Sequence, residues 1–172
     1  MISMILAVSN DLAIGDTSRP DGLPWDKNPE DLSWFSSLTK GNVVVMGGNT
    51  FRQLQDIGFK NGLPKRFNYV ISNLGVDTGN FLTEHDTRYR VVDYGKMEKY
   101  LKKGGKDYFI IGGKSIYEQL HPYCDRVYLT RINKEYPDAD VKINLDFLRE
   151  FVIISTKTLN EYSHVEVWER KK

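Results

Sequence analysis

The sequence predicts one α/β domain: a central, mixed but mostly parallel twisted sheet of about eight strands, about four flanking helices, and an antiparallel C-terminal edge hairpin. Three observations carry this. Residues 1–8, 42–46, 68–72 and 108–111 are continuous apolar runs rich in β-branched side chains, the pattern of strands buried on both faces of a parallel sheet. Helical patterns separate them, so right-handed strand-helix-strand crossovers are expected. The tail then alternates apolar and polar residues around a polar bend, as a hairpin does.

Taken in order, residues 1–8 form the first strand, and a bent loop follows. Within it Pro20-Asp21-Gly22 is a turn signature, and Trp25 closes the segment. A helix is predicted over Pro29–Thr39, because Asn28 is a good N-cap and Pro29 a good first helical residue. Strand 42–46, helix 50–55 and strand 68–72 come next. The polar stretch 75–90 reads as a surface loop or a short edge strand. Helix 96–103 presents Lys96, Lys99, Lys102 and Lys103 as a solvated face, then strand 108–111, helix 115–120 and strand Arg126–Ile132 follow. The hairpin pairs residues 151–159 with Ser163–Arg170 around Asn160-Glu161-Tyr162.

At 172 residues, with 40% hydrophobic and 27% charged side chains, the chain fits a single folded domain spanning residues 1–172. The formal net charge of +1 leaves no global field to attract nucleic acid or an anionic membrane, so any anion must be held locally. The single Cys124 has no internal disulfide partner and no metal-ligand spacing is evident, so no metal is expected and a reducing, cytoplasmic setting is. The first fifteen residues lack a basic n-region, and Ser9, Asn10 and Asp11 interrupt the apolar run; neither a signal peptide nor a membrane span is expected. His85, His121 and His164 are scattered and suggest no triad.

Two features carry chemistry. Val45-Met46-Gly47-Gly48-Asn49-Thr50-Phe51 echoes Ile110-Ile111-Gly112-Gly113-Lys114-Ser115-Ile116: two hydrophobic residues, Gly-Gly, a polar residue, a hydroxyl and a helix. Such turns expose backbone N–H groups at a helix start where no Cβ blocks a phosphate, although glycines also serve tight turns that bind nothing. The second feature is Asp31. At helical spacing it shares a stripe with Phe35 and Leu38, flanked by Trp34 and Leu32. An acid in a first turn complements the helix dipole and commonly faces water. Glu30 already supplies that charge, so an inward Asp31 calls for a cation, a donor or a ligand, and burial would raise its pKa.

These segments together resemble the dihydrofolate reductase family. The resemblance runs through MISMILAVSNDLAIG, LPW, EDLSWF with Thr39, VVVMGGNTF, GLPKRFNYVIS and FIIGGKSIYEQLHPYCDRVYLTRI, in the family's order and spacing, over most of positions 1–132. It implies hydride transfer from NADPH, with NADH not excluded, to 7,8-dihydrofolate, in support of one-carbon metabolism and thymidylate synthesis. Asp31 matches the family's carboxylate that binds the pterin and promotes protonation at N5; Thr130 matches its supporting hydroxyl and Trp25 the residue that holds a nearby water. Tyr117 joins this catalytic group. Ile5, Ala7 and Ile111 would line the pterin and nicotinamide site, Leu32, Phe35, Leu54 and Leu63 the aminobenzoyl pocket, and Arg66 would take the glutamate carboxylate.

For the cofactor the resemblance implies Ala7, Ile14, Gly15, Gly47, Gly48, Asn49, Thr50, Ser72, Asn73, Gly112, Gly113, Lys114, Ser115, Ile116 and Tyr117, with an adenosine-binding subdomain over roughly residues 42–110. Antifolate binding and a monomeric state follow from it as well. The chain departs from the pattern in two places. Gly48 and Ser115 stand where the family often has basic residues near the adenosine 2'-phosphate, with Lys114 one position away. Loop 16–24 is longer than in compact bacterial members and ends at Leu23 before Pro24, so its closure would differ. A nucleotide-binding scaffold without turnover, and a pyrimidine reductase of riboflavin synthesis, are the alternatives on the same fold.

Overall fold

The computed structural model of the protein describes residues 1–72, 78–80 and 87–172. Its centre is a nine-stranded sheet built from β1 (Ile2–Ser9), β3 (Val43–Gly47), β4 (Phe67–Ile71), β5 (Thr78–Asn80), β6 (Arg88–Val92), β7 (Tyr108–Gly112), β8 (Arg126–Ile132), β10 (Phe151–Asn160) and β11 (Ser163–Arg170), in the order β10-β11-β8-β1-β7-β3-β4-β6-β5. The run from β8 to β6 is parallel, while β10, β11 and β5 pair antiparallel at the two edges. A separate two-stranded ribbon joins β2 (Ala13–Gly15) to β9 (Val141–Lys142). Four α-helices connect the strands: α1 (Pro29–Thr39), α2 (Gly48–Asp56), α3 (Tyr94–Lys103) and α4 (Lys114–Leu120).

The expected fold class is the observed one. Three short strands, β2, β5 and β9, are additional; with two or three residues each they carry no readable periodicity. In the stretch expected to be a polar loop or a short edge strand, residues 75–77 and 81–86 lie outside the described residues, β5 is a short edge strand, and the correction is β6, which lies inside the sheet between β4 and β5. Its sequence Arg88-Tyr89-Arg90-Val91-Val92 hid it, because arginines interrupt the apolar run while the strand stays only half covered. Helices α2 and α4 begin one to two residues earlier than expected, at the glycine turns themselves, and α3 begins at Tyr94 behind Asp93, whose side chain accepts from the Lys96 N–H.

The core forms where central strands bury both faces: Met4, Val45, Ile110 and Leu129 are fully buried. Removing one such side chain from water contributes about 1.5–3 kcal/mol, which is why parallel β1, β7 and β3 hold the centre. Because β3 and β7 are neighbours with Met46 opposite Gly112, their glycine turns emerge side by side at the strand carboxyl ends. Ligands bind at that edge in open α/β sheets. Among the described residues, no helix is long and apolar enough to cross a membrane.

One buried polar residue organises the approach to β4. Asn68 is fully buried; its Oδ1 accepts from the Leu63 N–H at 2.9 Å, and its Nδ2 donates to the carbonyls of Leu63, Arg66 and Arg88 at 3.1, 3.2 and 3.0 Å. It thereby fixes the 63–66 turn that presents Arg66. Asn68→Ala strands those groups, so urea unfolding is expected to show a loss of about 2–4 kcal/mol. A loss below roughly 0.5 kcal/mol would show that Asn68 does not hold the turn.

Candidate active site

A cleft of about 1220 Å³ opens over the carboxyl ends of β1, β3 and β7, walled by α1, α2 and the 16–24 loop. Helix α1 is set in place from its first residue. The Asn28 Oδ1 accepts from the Asp31 N–H at 3.3 Å, as an N-cap should, and also from the Asn160 Nδ2 at 2.9 Å. The Asn28 Nδ2 donates to Ser163 Oγ at 3.2 Å, so the C-terminal hairpin grips the start of α1. The Thr130 hydroxyl on β8 then donates to Asp31 Oδ1 at 2.7 Å.

Asp31 is half-buried, and its pKa is raised because desolvation outweighs the opposing Thr130 hydrogen bond. The stripe of Asp31, Phe35 and Leu38 was expected to face the core. It is only half-covered, Leu32 beside it is 47% exposed, and Thr39 is the single buried residue of α1. The physical reason is that Asp31, Leu32 and Phe35 line the cleft, so no protein packs on them there.

Arg66 sits at the outer end of the same wall. It is only 7% exposed; its Nε donates to Thr39 Oγ1 at 2.9 Å, one terminal nitrogen to the Pro64 carbonyl at 2.6 Å and the other to Ser36 Oγ at 3.2 Å, with the guanidinium 6.0 Å from the Phe35 ring. No carboxylate among the described residues pairs with it, and burial lowers its pKa. A buried cation held by neutral oxygens is prepared for an anion from outside.

On the opposite wall, Gly47 caps α2 and Gly113 caps α4 without any side-chain hydrogen bond, which leaves the first N–H groups of both helices free. A Cβ at Gly47 would lie 3.0 Å from Ile116 Cγ1, and one at Gly113 would lie 3.4 Å from Thr50 Oγ1; Gly112 has φ +124° and the Gly112-Gly113 peptide is cis. The positive φ favours glycine at position 112, and a side chain at position 47 would press on Ile116. Tyr117 reaches back between the central strands, sharing its hydroxyl between the carbonyls of Ile5 and Ile111 at 2.8 Å each. Burial, with a contribution from Asp31, holds its phenol well above the ordinary range. Expected among the catalytic group, Tyr117 is instead committed to two backbone carbonyls and positions Ile5 and Ile111.

Loop 16–24 closes over this space. The Asp16 N–H donates to the Gly22 carbonyl at 2.9 Å, the Thr17 N–H donates to Asp140 Oδ1 at 2.8 Å, and the Thr17 hydroxyl donates to Asp140 as well. Gly22 (φ +73°) lies so near α2 that a Cβ there would be 2.6 Å from the Gln53 side chain.

This geometry has relatives. The family model "Dihydrofolate reductase" matches residues 1–168. The chain belongs to the dihydrofolate reductase family. It is 33% identical over 136 residues to a dihydrofolate reductase of Bacillus subtilis, covering 79% of this chain and 71% of that one. It is 30% identical over 155 residues to a type 9 dihydrofolate reductase of Escherichia coli, covering 90% and 82% respectively. A solved structure of dihydrofolate reductase from Enterococcus faecalis, complexed with NADP(H) and a propyl RAB compound, shares the fold with a TM-score of 0.75 at 24% identity, over 100% of this chain and 97% of that one.

Seen as a dihydrofolate reductase, the chain brings nearly all of its sequence-expected site residues to the one cleft. Ile5, Ala7, Ile14, Gly15, Trp25, Asp31, Leu32, Phe35, Leu54, Leu63, Arg66, Ser72, Ile111, Tyr117 and Thr130 line it, as do Gly47, Gly48, Asn49, Thr50, Gly113, Lys114, Ser115 and Ile116. Gly112 does not; the Tyr117 ring packs where a Gly112 side chain would be, 3.0 Å from its hydroxyl. Asn73 lies outside the described residues. Trp34, Tyr128, Gln53, Ile57 and Phe59 line the cleft but were missed. Trp34 was readable, since it stands next to Phe35 on the Asp31 face; Tyr128 was not, since only the register of β8 beside β1 brings it there.

Asp31 fixes a sign for the pH dependence of stability. An acid whose folded pKa is raised binds its proton more readily when folded, so stability falls as pH rises from the ordinary carboxylate range to the raised value, then stays flat. Asp31→Asn removes that loss while still accepting from Thr130. In thermal unfolding the variant is therefore expected to match or exceed the parent at neutral pH, with the difference closing in acid. A variant less stable than the parent only at neutral pH would mean that the ionised carboxylate stabilises the fold.

Proposed function

We infer that the protein reduces 7,8-dihydrofolate to 5,6,7,8-tetrahydrofolate, with NADPH as the reductant. The observation that carries this reading is the half-buried Asp31, held 2.7 Å from Thr130, in an apolar cleft whose outer end holds the unpaired Arg66. A flat heteroaromatic ring with an anionic tail satisfies both groups at once. A ligand-binding scaffold needs no desolvated acid, and nothing else in the cleft favours a ribosylated pyrimidine.

The pterin is taken to lie on Ile5, Ala7 and Ile111, with Asp31 accepting from its N3 and amino group. Burial raises the Asp31 pKa, so the carboxyl holds a proton more readily than a free one and biases the ring toward protonation at N5. Thr130 orients the carboxylate, and Trp25, only 4% exposed, closes the cleft beside it. Leu32, Phe35, Leu54 and Leu63 take the aminobenzoyl ring, and Arg66 the tail carboxylate. The turns 47–50 and 113–116 suit a pyrophosphate, because both helices start at glycine without a side-chain cap. When bound, the reduced nicotinamide supplies the hydride. The exposed Lys114, 3.9 Å from Glu118, is assigned to the adenosine 2'-phosphate in place of bases absent at Gly48 and Ser115. As a near-neutral chain with one buried cysteine, the enzyme is assigned to the cytoplasm as a monomer open to antifolates.

Following the loss of NADPH absorbance with dihydrofolate tests the reading directly; a folded protein that binds both and turns over neither would overturn it. Asp31→Asn is expected to slow hydride transfer about 10²- to 10⁴-fold and to abolish the fall in rate as pH rises. Arg66→Leu is expected to raise the KM for dihydrofolate about tenfold or more with NADPH affinity unchanged. Equal loss of both affinities would assign Arg66 to the cofactor.

A further inference from the structure

The two walls of the cleft differ in charge. Among the described residues three cations line it: Lys27 just before the start of α1, Arg66 at the end of α1, and Lys114 alone on the side of the glycine turns. Residues 73–77 and 81–86, outside the described residues, include no lysine or arginine. Arg52 on α2 does not line the cleft and donates instead to Asn49 Oδ1 at 3.3 Å. Lys114 is not free either. Its Nζ lies 3.9 Å from Glu118 Oε1, one turn along α4, and a carboxylate at that distance offsets the pull of the ammonium on any third ion.

The cleft-lining side chains around Lys114 are neutral. Ser115 and Gln119 are exposed, and the Gln119 Nε2 donates to Ser115 Oγ at 2.7 Å. Tyr94 lines the same end, with its hydroxyl donating to the Gln119 carbonyl at 3.5 Å. A serine hydroxyl that accepts from an amide keeps its own hydrogen to donate, and the glutamine keeps its carbonyl oxygen and a second N–H. Those groups suit an uncharged ribose diol, whereas a phosphate dianion is held best by charged donors. NADPH and NADH differ only in this respect: one carries a phosphate on the adenosine 2'-oxygen, the other a hydroxyl, in both cases remote from the nicotinamide.

We propose that the protein accepts NADH as a reductant alongside NADPH, and that Glu118 and Ser115 set the balance between the two. This rests on the reading that the turns 47–50 and 113–116 take the pyrophosphate. With either dinucleotide a hydride and one solvent proton pass to 7,8-dihydrofolate and the oxidised dinucleotide leaves, so no further reactant is required. Glu118 acts through Lys114, offsetting the one cation that favours the phosphate. Ser115 and Gln119 satisfy the ribose hydroxyl that stands in its place.

Titration calorimetry with NADPH and NADH, in the absence of dihydrofolate, reads the balance apart from turnover. The parent is expected to bind NADPH no more than about tenfold more tightly than NADH at low salt. Glu118→Gln leaves Lys114 unopposed and is expected to tighten NADPH about threefold with NADH unchanged, a gain that disappears near about 0.5 M salt. Ser115→Arg supplies a planar fork for the phosphate and is expected to tighten NADPH about tenfold while weakening NADH. A parent preference for NADPH beyond about tenfold overturns the proposal. So does a Glu118→Gln variant that tightens both dinucleotides alike or neither. Binding of neither by the parent refutes the reading of the turns as a pyrophosphate site, and the proposal falls with it; selective binding of NADPH refutes the proposal alone.

Discussion

The hydrogen bond from the Thr130 hydroxyl to Asp31 joins helix α1 to strand β8 across 99 residues of sequence, and the cleft depends on it. An amphipathic helix normally holds its place by burying an apolar face. Helix α1 buries only Thr39, so it hangs from polar ties instead: Asn28 gripped by Asn160 and Ser163 at its start, Thr130 on Asp31, and Arg66 on Ser36 and Thr39 at its end. Leaving Leu32 and Phe35 only partly covered forgoes roughly half of the ~1.5–3 kcal/mol that full burial of each side chain would contribute. That forgone burial is what lets an aromatic ligand gain it on binding, and the same ties keep the helix at a fixed distance from the sheet while the cleft is empty.

The opposite wall follows from strand order. Parallel β1, β7 and β3 lie side by side, so the ends of β3 and β7 place two uncapped helix starts together, and Tyr117 links β7 to β1 at the same level. A redox site for two flat rings requires alignment and exclusion of water more than reactive side chains. The geometry matches that requirement: one half-buried acid with a raised pKa, one hydroxyl orienting it, and apolar side chains beside them.

How much of this was legible varies with the origin of each signal. Asn28-Pro29 announced α1, and the redundancy of Glu30 and Asp31 announced an acid with another purpose, because both signals are local. The twin Gly-Gly turns were legible for the same reason, though their adjacency came only from the register of β3 on β7. What escaped was non-local. Asn68 reads as an ordinary strand residue, yet it fixes the turn before Arg66 through a carbonyl contributed by Arg88. Tyr128 enters the cleft by pairing opposite Ile5, and the sharing of the Tyr117 hydroxyl between two carbonyls depends on strands far apart in the chain. The β2–β9 ribbon spans 126 positions from Gly15 to Val141, and strands this short carry no pattern of their own.

That ribbon also fastens the 16–24 loop. Asp11 accepts from the Ser9 hydroxyl at 2.5 Å, the Tyr136 N–H at 3.0 Å and Lys142 Nζ at 3.3 Å, interactions that lower its pKa to about 2 and draw the 133–142 segment onto the end of β1. This brings Val141 beside β2, where a Cβ on Gly15 would lie 3.1 Å from it and 3.3 Å from the Gly22 carbonyl. Asp140, the next residue back, is then placed to accept from both donors of Thr17, and Gly22 is held against Gln53 on α2. Position passes from an acid at the end of β1, through the ribbon, to the loop that covers the cleft. Arg19 donates to the Trp25 carbonyl and to Asp26, which fastens the loop back onto the segment that begins α1. The segment between loop and helix is thus tied at both ends, by Arg19 at the loop and by Asn28 at the start of α1.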